Sequence, residues 1–368
     1  MHSKFYSCIH IEGSLNIGTD YLTLCASAHA MNGCSLIGNF SGNKMPIDMI
    51  VKKREILCVL NNTKHNESPC FGCPELVLGH WPPRPYLFDS LTINDFKECN
   101  LRCDYCHRTE SDRSQVQTER THELLPIIRN MVENGYLSSR AIINWGGGEV
   151  ALCRDFEPVA MYFTKRSFRQ FVNTNATIYS EAIEAGMRTR LMDVQVSVDS
   201  GTRETYRIVK GRDAFEAVWA NITRYAVVGT IAIKYILIES NSSRSEIDSF
   251  ISMCRAARIA KIVVAPENNQ YANNEISTDT LRAAAYMIHQ AQKAGIGINE
   301  RAERFGDVYG KQIRSFLVDL EITRSGRWLL MLRFLMLVIR SKGGRLLTNL
   351  EKQSFFSLPL TRLFSFHK

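Results

Sequence analysis

The stretch RAIINWGGGEV, residues 140–150, joins an apolar run to three consecutive glycines and a glutamate. The run RAIINW has the length and the β-branched content of a buried strand, and the glycines indicate a tight turn directly after it. A strand that is buried on both faces is typical of a parallel sheet covered by helices. The stretch therefore predicts an α/β fold in which a glycine-rich turn follows an inner strand.

Strand-like runs and helical patterns alternate on both sides of this stretch. The strand-like runs are YLFDSLTIND, RAIINW, RQFVNTNAT, MDVQVSVDS, TIAIKYILIE and AKIVVAP. Helical patterns such as SEAIEAGMR separate them, and Ser277 or Thr278 is the expected cap of the last helix. Six strand–helix repeats predict a parallel sheet, in the form of a partial (β/α)6 TIM-like barrel over residues 86–300.

Three cysteines follow the first predicted strand, in ECNLRCDYCHR, residues 98–108. A structural zinc site closes with four ligands, and disulfides need cysteines in pairs. The triplet Cys99, Cys103 and Cys106 instead indicates a metal site with one position open for chemistry. Polar residues also end the other strands, with Glu149 after the second, Thr174 and Asn175 at the third, and Ser197 and Asp199 at the fourth. The carboxyl ends of barrel strands meet at one rim, so we expect these groups to come together there.

The spacing Cys-x3-Cys-x2-Cys after a first strand, followed by Gly-Gly-Gly-Glu after a second, resembles the radical S-adenosylmethionine (radical SAM) enzymes over roughly residues 86–300. The resemblance implies a [4Fe–4S] cluster held by Cys99, Cys103 and Cys106, since soft thiolates suit iron–sulfur clusters. It also implies that SAM binds the fourth iron and is cleaved reductively to a 5′-deoxyadenosyl radical, which abstracts hydrogen from a substrate. A flavodoxin or ferredoxin is the expected electron donor.

The same resemblance implies which residues contact SAM. Tyr105 stands where the family usually has an aromatic residue near the adenine, and Glu149 would accept a hydrogen bond from the SAM ammonium. Ser197 and Asp199 are expected near the ribose or the methionine carboxylate. Val150 stands where the family often has proline. Three glycines would let the backbone approach the ligand closely: Gly146, Gly147 and Gly148. No residue is assigned to the chemistry on the substrate.

Residues 1–85 predict a small, cysteine-rich and loop-rich domain. The motif CFGC places Cys70 and Cys73 at a chelating spacing, with Cys25 and Cys8 as further ligands and Cys34 as an alternate. The segment resembles the auxiliary-cluster (SPASM-like) modules of radical SAM maturases, although those modules are mostly carboxyl-terminal. The resemblance implies a second iron–sulfur cluster. A zinc knuckle and a set of unconnected buried thiols are the alternatives.

The net charge, the first residues and the carboxyl-terminal extension indicate which partners and which compartment to expect. The net charge of +8 comes without an aromatic–basic pattern, so no nucleic-acid partner is expected. The chain opens without a secretory signal and clusters its cysteines, which favours the cytoplasm. A basic extension follows over residues 301–368. Its apolar run, residues 328–339, is too short to span a bilayer, and it would form either an interfacial helix or a helix that closes the barrel.

Two functions follow from these observations. The first is a radical SAM enzyme, for which a peptide is the leading substrate and sugar or lipid-linked precursors are alternatives. The second is a zinc-stabilised binding or adaptor protein on the same fold, with His107 as a distant zinc ligand. In that second interpretation the glycines form only a tight turn, Tyr105 packs in the core, and Ser197 and Asp199 are an ordinary strand end.

Overall fold

The computed structural model describes residues 4–19, 21–25, 36–81, 88–94, 96–106, 123–298, 305 and 309–320. The chain divides into two units, Met1–Ile313 and Arg314–Lys368. Of the second unit, residues 314–320 are described, and they are helical. The apolar run at residues 328–339 and the alternate ligands Cys34 and His107 lie outside the described residues.

The main sheet of the first unit contains ten strands within the described residues, with a two-stranded sheet beside them. The strands in chain order are β1 Phe5–Ser7, β2 Ser14–Ile17, β3 Tyr21–Thr23, β4 Leu36–Asn39, β5 Val77–Gly79, β6 Phe88–Ile93, β7 Leu137–Trp145, β8 Arg169–Thr174, β9 Met192–Ser197, β10 Ile231–Leu237, β11 Lys261–Pro266 and β12 Gly297–Ile298. Strands β6 to β12 pair in chain order, and every pairing among them is parallel.

The helices follow in chain order, and those after residue 123 connect the parallel strands. They are α1 Ile9–Gly13, α2 Ile47–Thr63, α3 Leu124–Glu133, α4 Phe156–Lys165, α5 Glu181–Arg188, α6 Arg203–Lys210, α7 Phe215–Val228, α8 Arg244–Ala256, α9 Asn268–Ala272 and α10 Thr278–Lys293. Hydroxyl side chains cap several of them, since Ser180, Thr202 and Ser277 each accept the backbone N–H three residues later. The cap predicted at Ser277 is therefore confirmed.

The predicted fold class is confirmed. Each of the six strand-like runs forms a strand, from β6 to β11, and helices intervene between them. The sheet is held to the helices by alternate apolar side chains, such as Ile143, Val172 and Ile233, which are fully buried. This arrangement is the mostly parallel α/β sheet of a partial TIM-like barrel, and it brings the carboxyl ends of β6 to β11 to one edge.

The amino-terminal segment continues the same sheet. Strand β2 pairs parallel with β6, and β3 and β4 add antiparallel beyond it, while β1 and β5 form the separate pair. Helix α2 was not predicted. The division into domains at residues 85 and 300 stays a prediction. No helix in the described part of the chain is long and apolar enough to cross a membrane.

Candidate metal centre

Cys99, Cys103 and Cys106 lie in the loop that follows β6, and all three are free, half-buried thiols. Burial raises the pKa of Cys99, and the charges of Cys103, Glu149 and Cys106 raise it further, so the three thiols are near one another. Burial likewise raises the pKa of Cys103, against the opposing effect of the Lys210 charge. Within the described residues, no three His, Cys, Asp or Glu side chains are already arranged to hold a metal ion.

The surroundings of the thiols fit an iron–sulfur cluster. Three thiolates are the ligand type that such clusters take. Tyr206 of α6 is fully buried, and its hydroxyl has no hydrogen-bond partner among the described residues. Burial, and after it the charges of Cys103 and Asp199, raise the pKa of Tyr206, which places that hydroxyl near the thiols. A buried polar group without a partner is costly, and a sulfur acceptor at this position would satisfy it.

The three glycines after β7 pack against the segment that leads into the cysteine loop. Backbone N–H groups of Gly148 and Glu149 donate to the carbonyl oxygens of Phe96 and Glu98 at 3.0 and 2.7 Å. A Cβ atom on Gly148 would lie 1.9 Å from the Glu98 carbonyl oxygen. Gly147 has φ +116°, and its Cβ would lie 2.5 Å from the Phe96 carbonyl oxygen. Glycine is therefore required here by the protein's own backbone, and the predicted approach to a ligand stays a prediction.

Glu149 is buried directly beneath this turn. Its carboxylate accepts hydrogen bonds from Thr174 Oγ1 at 2.5 Å, from the Asn175 backbone N–H at 2.6 Å and from the Ala151 backbone N–H at 3.2 Å. These donors favour the charged form, but burial outweighs them and raises the pKa of Glu149. A carboxylate has about four acceptor positions, so one position remains for a further donor such as an ammonium.

Asp199 is fully buried and its carboxylate is bonded to protein groups. Oδ2 forms an ion pair with Lys210 Nζ and accepts from the Tyr105 hydroxyl, and Oδ1 accepts from the Ile236 backbone N–H at 2.5 Å. Its backbone has φ +59°, a left-handed conformation that aspartate tolerates better than most residues. The expected contact of Asp199 with SAM stays a prediction, and the contacts in this structure are those of a residue that joins β10 to the cysteine loop.

Tyr105 lies between Cys103 and Cys106, and it packs against Val209, Ile236 and Ile238. Its hydroxyl accepts a hydrogen bond from Lys210 Nζ at 2.8 Å. Burial alone would lower the pKa of Lys210, but the nearby charges of Asp199 and Cys103 raise it. The sequence reasoning assigned no role to Lys210, because it lies in α6, a short and highly charged helix that the apolar pattern did not reveal.

Asn175 was expected at the rim, at the end of the third predicted strand, but it was given no role there. Its side-chain nitrogen lies 3.9 Å from Cys99 Sγ and donates to Asn100 Oδ1 at 2.9 Å. Asn100 in turn donates to Thr177 Oγ1 at 2.7 Å. The amide therefore ties the end of β8 to the start of the cysteine loop. Its position at the polar end of the predicted strand RQFVNTNAT was the signal available in the sequence.

The face of the sheet turned away from the helices carries polar side chains. Tyr235 packs on Phe250 of α8, so its neighbour Lys234 projects from the opposite face. Gln170 donates to the Ala160 carbonyl oxygen of α4, which puts Asn173 on that opposite face, where Gln195 donates to it at 2.7 Å. By the same alternation this polar face includes Ser90, Asn144, Asn173, Gln195, Ser197 and Lys234. Inner strands of a parallel sheet are usually apolar on both faces, so these residues indicate a binding surface.

The amino-terminal cysteines partly converge. Cys8 is buried, and its Sγ accepts from the Ile11 backbone N–H at 3.4 Å at the start of α1. Burial, followed by smaller effects that include the charges of Cys25 and Cys73, raises the pKa of Cys8, so these thiols are near one another. The Cys73 backbone N–H donates to the Cys70 carbonyl oxygen at 3.1 Å, which closes the CFGC turn. Cys153 and Cys254 are buried.

A parallel α/β sheet with three free thiols and a glycine-rich turn at its carboxyl edge has the fold and the donor set of an iron–sulfur enzyme. Residues 93–247 match the family model described as the radical SAM superfamily, so this part of the chain is a radical SAM domain. The resemblance of this domain to the radical SAM enzymes is thereby confirmed, and the resemblance of residues 1–85 to a SPASM-like module stays a prediction. Enzymes of this superfamily use a [4Fe–4S] cluster and SAM.

Several curated proteins are similar to this chain. A probable GTP 3′,8-cyclase of Pyrococcus abyssi is 22% identical over 237 residues, which cover 64% of this chain and 76% of that protein. A probable GTP 3′,8-cyclase of Saccharolobus islandicus is 23% identical over 175 residues, 47% of this chain and 55% of that protein. Molybdenum cofactor biosynthesis protein 1 of Drosophila melanogaster is 28% identical over 46% of this chain and 29% of its own length.

Solved structures with a similar fold include radical SAM enzymes. Streptococcus suis SuiB bound to the precursor peptide SuiA has a TM-score of 0.46 and 16% identity, over 69% of this chain and 53% of that chain. The anSMEcpe structure with bound AdoMet and a Cp18Cys peptide has a TM-score of 0.44 and 15% identity, over 58% of this chain and 63% of that chain. The chain thus spans about half the length of SuiB.

Proposed function

We propose that this protein is a radical SAM enzyme that holds a [4Fe–4S] cluster on Cys99, Cys103 and Cys106 and cleaves SAM to act on a polar substrate. The observation that carries the proposal is the meeting of three free thiols with the Gly146–Glu149 turn at the carboxyl edge of a radical SAM domain. Three protein ligands leave one iron for the amino and carboxylate groups of SAM. When bound, the cluster and SAM supply one-electron cleavage to methionine and a 5′-deoxyadenosyl radical, which takes a hydrogen atom from the substrate.

The protein's own groups would bind and orient SAM. Glu149 has one acceptor position left for the ammonium of the methionine part, and its burial keeps water from competing for it. Tyr105 would border the adenine with its ring, because its hydroxyl is already fixed by Asp199 and Lys210. Ser197 is half-buried on the polar face and would reach the ribose. Gly146, Gly147 and Gly148 would leave room for the ligand at the edge of the turn.

The polar face is the surface on which we place the substrate. Its amide, hydroxyl and ammonium groups provide both donors and acceptors, and each would be costly to cover with an apolar molecule. A peptide backbone offers matching groups, and peptide substrates are the leading class. The name of the GTP cyclase relatives adds a nucleotide to the candidates. Incubation of the reduced enzyme with SAM and either precursor peptides or GTP, followed by quantification of 5′-deoxyadenosine, would separate the two classes.

The electron would come from a flavodoxin or a ferredoxin, and the cytoplasm is the expected compartment. The amino-terminal cysteines would hold a second metal site. Cys8, Cys25 and Cys73 approach one another, and Cys70 lies in the same turn as Cys73. Four thiolates suit either an iron–sulfur cluster or zinc, and the auxiliary cluster is the occupant we propose.

The decisive test is the Cys99→Ala, Cys103→Ala, Cys106→Ala triple variant beside the wild type. Anaerobically reconstituted wild type should be brown and should release 5′-deoxyadenosine from SAM under reduction. The triple variant should lose about four irons per chain and this activity. A colourless wild type that contains zinc and releases no 5′-deoxyadenosine would instead establish the adaptor function.

A further inference from the structure

The cysteine loop rests on the carboxyl end of α6. Backbone N–H groups of Arg102 and Asp104 donate to the carbonyl oxygens of Lys210 and Val209 at 2.9 and 3.0 Å. Gly211, which ends α6, has φ +64°, and a Cβ atom there would lie 2.6 Å from the Arg102 carbonyl oxygen. The loop backbone on either side of Cys103 therefore fits closely against the end of the helix.

A side-chain network fixes the other side of the loop. Lys210 is 1% exposed, and its ammonium contacts both the Asp199 carboxylate and the Tyr105 hydroxyl. Asp199 is itself held by the Ile236 backbone N–H at 2.5 Å. Asn241 extends the network, because its side-chain nitrogen donates to the carbonyl oxygens of Asp199 and Ile236 at 3.0 and 2.8 Å. Tyr105, which separates Cys103 from Cys106, is thus attached to the ends of β9 and β10 through Lys210 and Asp199.

We propose that Lys210 is a positioning residue of the cluster site, which sets the placement of the Cys103 and Cys106 thiols by holding the Tyr105 hydroxyl against Asp199. This inference rests on the proposed cluster and adds a residue that touches neither iron nor SAM. A buried lysine is seldom retained without a specific partner. Of the two partners here, Tyr105 belongs to the cysteine loop and Asp199 binds the Tyr105 hydroxyl. Hydrogen bonds and ligand orientation around an iron–sulfur cluster affect its reduction potential, so Lys210 acts on the cluster through the ligands.

The test compares Lys210→Met, Tyr105→Phe and the Lys210→Met/Asp199→Asn double variant with the wild-type holoprotein. Arg203→Met is the matched control. Arg203 lies in the same helix as Lys210, and its loss removes an exposed ion pair with Asp213. The readouts are iron per chain after anaerobic reconstitution, the electron paramagnetic resonance spectrum of the reduced cluster, its midpoint potential, and far-ultraviolet circular dichroism. A residue that only stabilised the fold would change the amount of folded protein but not the spectrum or the potential of the cluster it holds.

We expect Lys210→Met to lose more than half of the iron held by Cys99, Cys103 and Cys106 and to shift the spectrum of the remainder. The double variant removes the unpaired buried carboxylate and should regain wild-type folding while keeping the altered spectrum. Tyr105→Phe keeps the ion pair and should alter the spectrum and potential even where Lys210→Met fails to fold. If Tyr105→Phe and the double variant both keep the wild-type spectrum and potential, the role of Lys210 is wrong and the proposed function still stands. If the wild type binds no cluster, both the role of Lys210 and the proposed function are wrong.

Discussion

The sequence pattern and the structure assign different neighbours to the side chain of Glu149. The pattern placed it against SAM, and the structure shows three protein donors on the carboxylate, from Ala151, Thr174 and Asn175. Its remaining acceptor position reconciles the two. The glutamate could be recognised from the glycine motif, but its donors Thr174 and Asn175 could not, because they come from the next strand and depend on the sheet register.

Glu149→Gln should weaken SAM binding without removing iron. A neutral amide replaces a charge-assisted bond by an ordinary one, a difference of about 1–2 kcal/mol or roughly 5- to 30-fold in the dissociation constant. Burial raises the pKa of Glu149, so the wild-type carboxylate takes up its proton at a pH above the ordinary glutamate range. Wild-type affinity should therefore fall as the pH is lowered towards that pKa, and the difference from the variant should shrink.

Equilibrium dialysis of SAM at several pH values, with iron measured in each sample, checks this expectation. Glu246→Gln is the matched control, because Glu246 is also buried and accepts from the Thr202 backbone N–H at 3.0 Å, away from the thiols. If Glu149→Gln loses iron while its SAM affinity is unchanged, Glu149 supports the fold and does not bind SAM.

Tyr206→Phe should stabilise the cluster-free protein. The hydroxyl is buried without a partner among the described residues, and removing such a group avoids a cost of about 1–3 kcal/mol. The midpoint of urea unfolding should therefore rise. Tyr235→Phe is the comparison, since the Tyr235 hydroxyl donates to the Asn241 carbonyl oxygen at 2.8 Å and its loss should lower the midpoint. A lower midpoint for Tyr206→Phe would show that the hydroxyl has a partner in solution.

At the scale of elements, the glycine turn and the cysteine loop form one unit. Gly148→Ala should displace the loop, because its Cβ would lie 1.9 Å from a backbone oxygen that cannot rotate away. We expect a loss of most of the cluster iron and a destabilisation of about 1–3 kcal/mol. Iron analysis and urea unfolding measure the two effects. Gly229→Ala is the control, since it meets its nearest atom, Met187 Cε, at 3.4 Å, and full iron in Gly148→Ala would contradict the coupling.

The strands were predictable because short runs rich in apolar residues, such as IVVA in β11, alternate with helical patterns, and the sheet order follows from that alternation. Helix α6 was not, because it is eight residues long and RETYRIVK is dominated by charged and polar residues, so it contains no apolar run that draws attention to it. Lys210 was missed with it. Helix α2 was missed for a different reason: its apolar residues are distributed around the helix, and Ile56 and Val59 are exposed.

At the scale of the whole molecule, the iron content reports on two sites that lie far apart in the sequence. The triple variant at Cys99, Cys103 and Cys106 isolates the amino-terminal thiols. We expect it to retain about four irons per chain, as a cysteine-ligated [4Fe–4S] site would. Adding Cys70→Ala and Cys73→Ala should remove them, as measured by iron and zinc analysis. Zinc in their place would leave a structural site without a redox role, and neither metal would mean that the thiols only pack.

Strand β2 lies between β3 and β6 in the sheet, and this position affects synthesis of the chain. Its parallel partner β6 leaves the ribosome roughly 70 residues after it, a delay on the order of 4–14 seconds at ordinary translation rates. During that interval β2 has one unpaired side, and the thiols of Cys8 and Cys25 emerge before the sheet that would shelter them. Pairing across such a long separation is slow, so this part of the nascent chain is open to oxidation and aggregation at this stage. Slowing translation between residues 25 and 88 would lengthen that exposure and lower the yield of reduced, soluble protein.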